Sequence, residues 1–297
     1  MSVIDLSSLP APNVIEAIDY ETILAARKAE MKTALADVLP DWNPDLESDS
    51  IVKLLEESAY RETILRQRVN DAALATMLAY AVGEDLDQIG ARYNVKRLVV
   101  TPADATTVPP TAAVMETDDR FRSRIQMAFE GFSTAGPVGA YTFHALSTSA
   151  KVKDCSVTSP TPGDVLLTVL STEGDGTPDA ALLDTVLAGL DDDDKRPLND
   201  TVLAGAADVL HYHISAVLVM PEGPDNDTVL AAAQKAVKTY ADKCHALEAT
   251  VARSGIDGAL HQAGVTRVIL TDPPEDIMPT KLQAAYCTGI DVTVSNG

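Results

Sequence analysis

DSIVKLLEESAYRETILRQRVNDAALATMLAYAVGEDLDQIGARYNVKR, residues 49–97, is the part of the chain from which the rest can be placed. From Ile51 to Val82 it holds neither Pro nor Gly, and at about 1.5 Å per residue a helix over that span is a rod of roughly 50 Å. Ile51, Leu54, Leu55, Ala59, Leu65, Val69, Ala72 and Ala73 recur at three- and four-residue steps, laying down an apolar stripe that needs cover. Glu57 with Arg61 and Glu62 with Arg66 sit one turn apart in the favourable acid-first order. Asp49 or Ser50 suits the N-cap, and Gly83 suits a left-handed residue past the end. Asp85 and Gln88 resemble a capping box that restarts a short helix with Leu86, Ile89 and Tyr93 on one face. The unit reads as a helical elbow. Either it is an ordinary core helix, or it joins helices of other chains, as its length beside the shorter helices elsewhere suggests.

Outward from the rod, the N-terminal residues Met1 to Asn13 read as an extended lead-in around Pro10 and Pro12, followed by a helix from Tyr20 to Val38. On the other side, Leu98 to Thr117 carries prolines 102, 109 and 110 and many threonines. It reads as an extended arm, either a linker or a strap laid on a neighbour. A helix resumes at Asp118 or Asp119 and ends near Gly131; a turn over Ser133, Thr134 and Gly136 follows, and Pro137 fits the first position of another helix to about Thr148. Strands are expected at Val152–Val157 and Val165–Leu170, then a helix from Pro178 to Leu190. A long strand from Asp208 to Met220 and a helix from Asn226 to Cys244 follow. Last come a helix at Gly258–Ala263, a strand at Val265–Leu270 and a strand at Gly289–Val294. Element order hints that the two halves share a plan. The fold class is α+β: a helical region over 1–97, an arm over 98–117, and small α+β domains over 118–205 and 206–297.

The chain has 297 residues, 46% of them hydrophobic, which is enough for real cores in about two domains. No apolar run approaches the roughly 20 residues that span a bilayer, and the N-terminus lacks a basic region followed by an apolar one. A soluble protein kept on the cytoplasmic side, with no membrane partner, is expected. Cys155, Cys244 and Cys287 are too few and too far apart for a disulfide framework or a CxxC site. A formal charge of −21, spread without an acidic or basic tail, argues against nucleic acid as a partner.

Chemical sites fare poorly. His211 and His213 alternate along a strand and share a face, as two metal ligands would, yet no third ligand is near in sequence. Asp191 to Asp194 suggests a cation loop, but Arg196 and Val202 stand where such a loop needs Gly and an acid. Acid pairs such as Glu56 and Glu57 arise by chance among 44 carboxylates. No phosphate loop, dinucleotide motif, GxSxG or HExxH is present, so nothing points to an enzyme, a cofactor or a bound metal.

Read together, LPAP (9–12), ILAARK (23–28), VKLLEESAYRETILRQR (52–68), DLDQIGARYNVKR (85–97), TPAD (101–104), AVMETD (113–118), FEGFSTAGPVGAY (129–141) and RPLND (196–200) resemble the baseplate J family of contractile-tailed temperate phages. The chain departs from that family's pattern in the Asp191–Asp194 run and at 40–46. The resemblance implies a non-enzymatic component of the tail baseplate wedge. Its partners would be other copies of itself, tail protein I, a lysozyme-like baseplate protein and the central spike hub. Ile51, Leu54, Leu55, Leu65, Val69 and Ala72 would then lie in an inter-chain helical bundle, with Gly83, Pro102, Pro109 and Pro110 at the joints. The competing readings are a cell-wall-degrading enzyme using carboxylates, and an unrelated adaptor whose acidic surface holds one basic partner.

Overall fold

The computed structural model describes residues 6, 9, 10, 12–133, 137–191, 195, 197, 199–221 and 226–296. Most of the expected lead-in before Pro12, Thr134 and Gly136 of the expected turn, Asp192–Asp194 and Arg196 lie outside the described residues. The chain divides into two compact units, residues 2–96 and residues 97–297.

In the first unit, α1 (Tyr20–Ala34) and α2 (Ser50–Ala75) form an antiparallel hairpin. Arg27 near the middle of α1 pairs with Glu62 of α2, while Asn70 exchanges two hydrogen bonds, of 3.1 and 2.9 Å, with the backbone of Glu16. Asp19 and Asp49 cap the two helices, accepting from the N–H groups of Thr22 and Ile51 at 3.1 and 2.7 Å. Leu24, Trp42, Val52, Leu55 and Ala59 make the core between them.

The rod is shorter than its Pro- and Gly-free run implies. It ends at Ala75, after 26 residues and about 39 Å, because the chain tightens there into three-residue turns. The N–H groups of Thr76 and Met77 reach back to Ala73 and Leu74, and the Thr76 hydroxyl donates to the Ala73 carbonyl at 2.8 Å. Similar turns at Ala36 and Val38 stop α1 before the expected Val38. Gly83 does take a left-handed backbone, φ +54°, but it opens α3 (Gly83–Arg92) instead of closing α2. Val82 is the N-cap and no side chain caps the helix, so the expected Asp85/Gln88 box does not form. Leu86 and Ile89 are buried, and Asn94, at φ +57°, ends α3 with the Val95 N–H returning to Gly90.

The second unit opens with a pair of short strands. Residues 98–117 are not an extended arm but a hairpin, in which β1 (Val99–Thr101) pairs antiparallel with β2 (Val114–Met115). Asp104 and Thr111 exchange backbone hydrogen bonds of 3.0 and 2.9 Å, and the Asp104 carboxylate accepts from the Thr106 N–H, turning the chain at the tip. Pro102, Pro109 and Pro110 stand outside the ladder, where no donor is needed.

Then come α4 (Asp118–Gln126), which ends before the expected Gly131, and α5 (Val138–Thr148), with Pro137 at its N-cap. β3 (Val152–Thr158) and β4 (Asp164–Ser171) are antiparallel. α6 (Ala180–Leu190) then leads to β5 (Thr201–Ala206), which lies parallel to β4 and was not expected from its Ala- and Gly-rich sequence. Tyr141, Val152, Leu167, Val169, Leu182, Val186 and Leu190 fill the space between helices and sheet.

The last part holds β6 (Asp208–Met220), α7 (Asn226–Cys244), α8 (Arg253–Leu260), β7 (Arg267–Asp272) and β8 (Gln283–Asn296). α8 lies N-terminal to the expected Gly258–Ala263, and β8 is far longer than expected. Both three-stranded sheets have a central strand, β4 or β6, that is antiparallel to one neighbour and parallel to the other. The shared plan stops there, since β4 leads through α6 to its parallel neighbour, whereas β6 leads through α7 and α8 to its antiparallel one. No linker separates the two sheets. The Ala207 N–H bonds Val169 on one sheet at 3.0 Å, and the Asp208 N–H bonds Leu282 beside the other at 2.9 Å.

Candidate assembly surfaces

The apolar stripe read along α2 divides into two. Val52, Leu55 and Ala59 turn inward against α1, with Ile51 half-buried at the margin. Leu55 and Ile51, expected at an inter-chain bundle, are therefore part of the chain's own core. About a quarter-turn to a third of a turn away, at 100° per residue, Leu54, Leu65, Val69 and Ala72 stand in solvent. Leu54 is 70% exposed, Leu65 66% and Val69 63%. Tyr60 and Ile64, one turn apart, are 60% and 50% exposed on another flank, which the stripe did not include. The i, i+4 spacing of Tyr60 and Ile64 was the available signal for that second row. A helix with apolar rows on both sides of its buried face offers more contact surface than one hairpin uses.

The base of the β1–β2 hairpin is fixed by one buried carboxylate. The Glu116 side chain is wholly buried. One oxygen accepts from the Leu98 N–H at 2.9 Å and from Arg124, the other from Arg120 at 2.8 Å. Arg120 also donates to the carbonyls of Leu146, Ser149 and Val152, so a single guanidinium ties α4 to the end of α5 and the start of β3. Burial pulls both Arg120 and Arg124 below their ordinary pKa, against the pull of Glu116. Arg97 pairs with Asp118 at 2.8 Å and stacks 4.7 Å from the Phe121 ring. Of the expected joints, Pro102, Pro109 and Pro110 are exposed on a hairpin anchored in this way, and Gly83 has open space where a Cβ would stand.

Where the two sheets meet, Asp154 on β3 accepts the Leu247 N–H at 2.9 Å. Beside it, Lys153 Nζ lies 2.7 Å from His245 Nδ1, and His245 Nε2 lies 3.1 Å from the Asp175 carbonyl. A neutral ring meets both contacts, accepting at Nδ1 and donating at Nε2. Burial lowers the pKa of Lys153 and of His245, with Lys153 a further depressing influence on the ring, and burial raises that of Asp154. The Cys155 thiol is pushed up to about 12 by burial, which disfavours its thiolate.

His211 and His213 share the outer face of β6, but they do not converge on one ion. His211 pairs with Asp175 at 3.0 Å and His213 with Asp291 at 2.9 Å. Among the described residues no three His, Cys, Asp or Glu side chains are placed to hold a metal. No helix among them is long and apolar enough to cross a membrane.

Two family models match parts of the chain. The model of the baseplate J-like N-terminal domain matches residues 47–104, which take in α2, α3 and the first strand of the hairpin. The model of the baseplate J-like central domain matches residues 133–206, from the approach to α5 through β5. Over 296 residues the chain is 48% identical to baseplate protein J of Escherichia phage P2, a similarity covering 97% of this chain and 96% of that protein. With both family domains in order and near-complete coverage of a relative at that identity, the chain belongs to the baseplate J family.

Proposed function

We propose that this protein is a structural, non-enzymatic component of the baseplate wedge of a contractile tail, residing in the virion after assembly in the host cytoplasm. Its family and its relationship to a phage baseplate protein support the role. The observation that carries the finer reading is the solvent-facing row Leu54, Leu65, Val69 and Ala72 on a 26-residue helix whose other face is already occupied. Copies of the chain join through this row in an inter-chain bundle, and the 206–297 part links wedges around the central spike hub. Tail protein I and a lysozyme-like baseplate protein are the neighbours that this position implies. A permanent interface of this kind buries roughly 2,000 Å² or more, within reach of helices about 39 Å long.

The test is the double variant Leu65→Asp, Val69→Asp. Both side chains are exposed in the single chain, so the isolated protein keeps its fold while particles fail to form baseplates. Normal particles from this variant would refute the bundle.

During sheath contraction the wedge rearranges, and the open, left-handed Gly83 and the 98–117 hairpin are the places proposed to absorb the change of angle.

A further inference from the structure

The connection between α1 and α2 carries a groove that the bundle row does not use. Val38, Leu39, Pro40, Asp41, Trp42 and Ile51 line it, and it encloses about 370 Å³. Val38 is 75% exposed and Leu39 47%, so apolar side chains stand in water at its rim, with Leu46 nearby in sequence at 52%. Trp42 is the exception. It is buried with Val52 and Leu55, and its indole N–H finds no acceptor among the described residues. A buried donor left unmatched carries a free-energy cost.

The connection that forms this groove is acidic in sequence. Between Lys32 and Lys53 the chain has no Lys or Arg, yet it holds Asp37, Asp41, Asp45, Glu47 and Asp49. Asp49 is committed to capping α2, and Asp37, Asp41, Asp45 and Glu47 are exposed. Asp37, Asp41 and Asp45 form no ion pair among the described residues. Asp45 shares a neighbouring hollow with Lys28 and Lys32, and Glu47 acts on Lys53, so Asp37 and Asp41 are the acids left to select a partner with apolar residues between cations. A second copy is disfavoured as occupant of this groove, since a symmetric contact would set Asp37 and Asp41 of the two copies against each other, a conflict that the uncharged α2 row does not have.

We propose that this groove docks a segment of a different polypeptide, in which a Leu- or Pro-sized apolar residue is flanked by Lys or Arg. The apolar residue enters between Val38 and Leu39, and the flanking cations face Asp37 and Asp41. The proposal stands apart from the α2 row, because the groove lies in the connection and shares no residue with Leu65 or Val69.

Trp42 is the chain's one tryptophan and lines this groove, so its emission gives a single-site signal from this region of the helical unit. The experiment titrates the full-length protein with two peptides, Ac-KRLPLKR-NH2 and Ac-EELPLEE-NH2, while following that emission. The basic peptide is expected to shift it saturably, with an affinity falling about tenfold or more between about 50 mM and about 500 mM salt, and the acidic one to leave it unchanged. Val38→Glu and Asp41→Lys, at exposed positions, each weaken the basic peptide by at least about tenfold without changing the thermal midpoint. No saturable shift with the basic peptide, equal binding of both peptides, or variants that bind as the parent does would overturn the proposal. Because the readout is peptide binding by the isolated chain, failure here leaves the α2 bundle standing, and failure of the bundle leaves this groove standing.

Discussion

At Glu116 one carboxylate holds the hairpin base, α4 and, through Arg120, the end of α5 and the start of β3. Glu116→Gln keeps the shape but leaves two buried guanidiniums without their anion, a loss of about 3 kcal/mol. A urea titration should show the unfolding midpoint of the 97–297 unit falling, and an unchanged midpoint would show the cluster to be dispensable. His245 gives a different kind of prediction. Burial first, and Lys153 next, hold its imidazole below the ordinary value of about 6.5. The unfolded chain therefore takes up protons before the folded one does. The stability associated with the neutral ring is whole above that value and is lost as the pH falls through it toward the folded pKa. Lys153, Asp175, Asp242 and Tyr286 face or influence the ring, and Lys153, 2.7 Å away, is the group that cannot accept a second cation. In His245→Gln an amide oxygen and N–H can take over the two contacts. Its thermal midpoint should therefore drop less than the parent's between about pH 7 and about pH 5; parallel curves would rule the ring out. None of this was legible in the sequence. Glu116, Arg120 and Arg124 look like ordinary helix-start charges, and His245 meets Lys153 across more than ninety positions.

For single elements, the apolar period of α2 was readable from its residues, but not how the stripe would be shared. Periodicity gives an angle around the helix; only the position of α1 shows that Leu55 faces inward and Leu65 outward. Leu55→Ala should cost the isolated chain about 2–4 kcal/mol, and Leu65→Ala less than about 0.5 kcal/mol, by denaturant unfolding. Assembly should reverse the ranking, with Leu65 mattering more in particles. The end of α2 was misplaced because a breaker-free run does not guarantee a helix: Thr76 and the residues after it settle into tighter turns. At Gly83, φ +54° with no neighbour within 4 Å makes the cost of a side chain one of backbone conformation. Gly83→Ala should destabilise by about 1 kcal/mol without a clash. The hairpin was missed for a different reason. Its three prolines argue against a ladder, but they fall where the ladder asks nothing of them, and that depends on a register no composition reveals.

For the molecule as a whole, the α+β class and the order of most elements could be read from the sequence, and the end of the helical region at 97 coincides with the edge of the first compact unit. The predicted boundary near 205 falls where a single run of backbone serves two sheets. If the wedge changes shape on contraction, particle maps in the extended and contracted states should differ most at Gly83 and at the 98–117 hairpin, and least across 201–220; identical geometry at Gly83 in both would refute the joint. The run from β5 into β6 has a mechanical meaning as well. A load entering at Thr201 and leaving at Met220 travels through peptide bonds alone, while β4 and β8, lying alongside it in parallel register, resist by shear, with many hydrogen bonds strained together instead of peeled one after another. A part built this way behaves under tension as a spliced cable and not as two beads on a string.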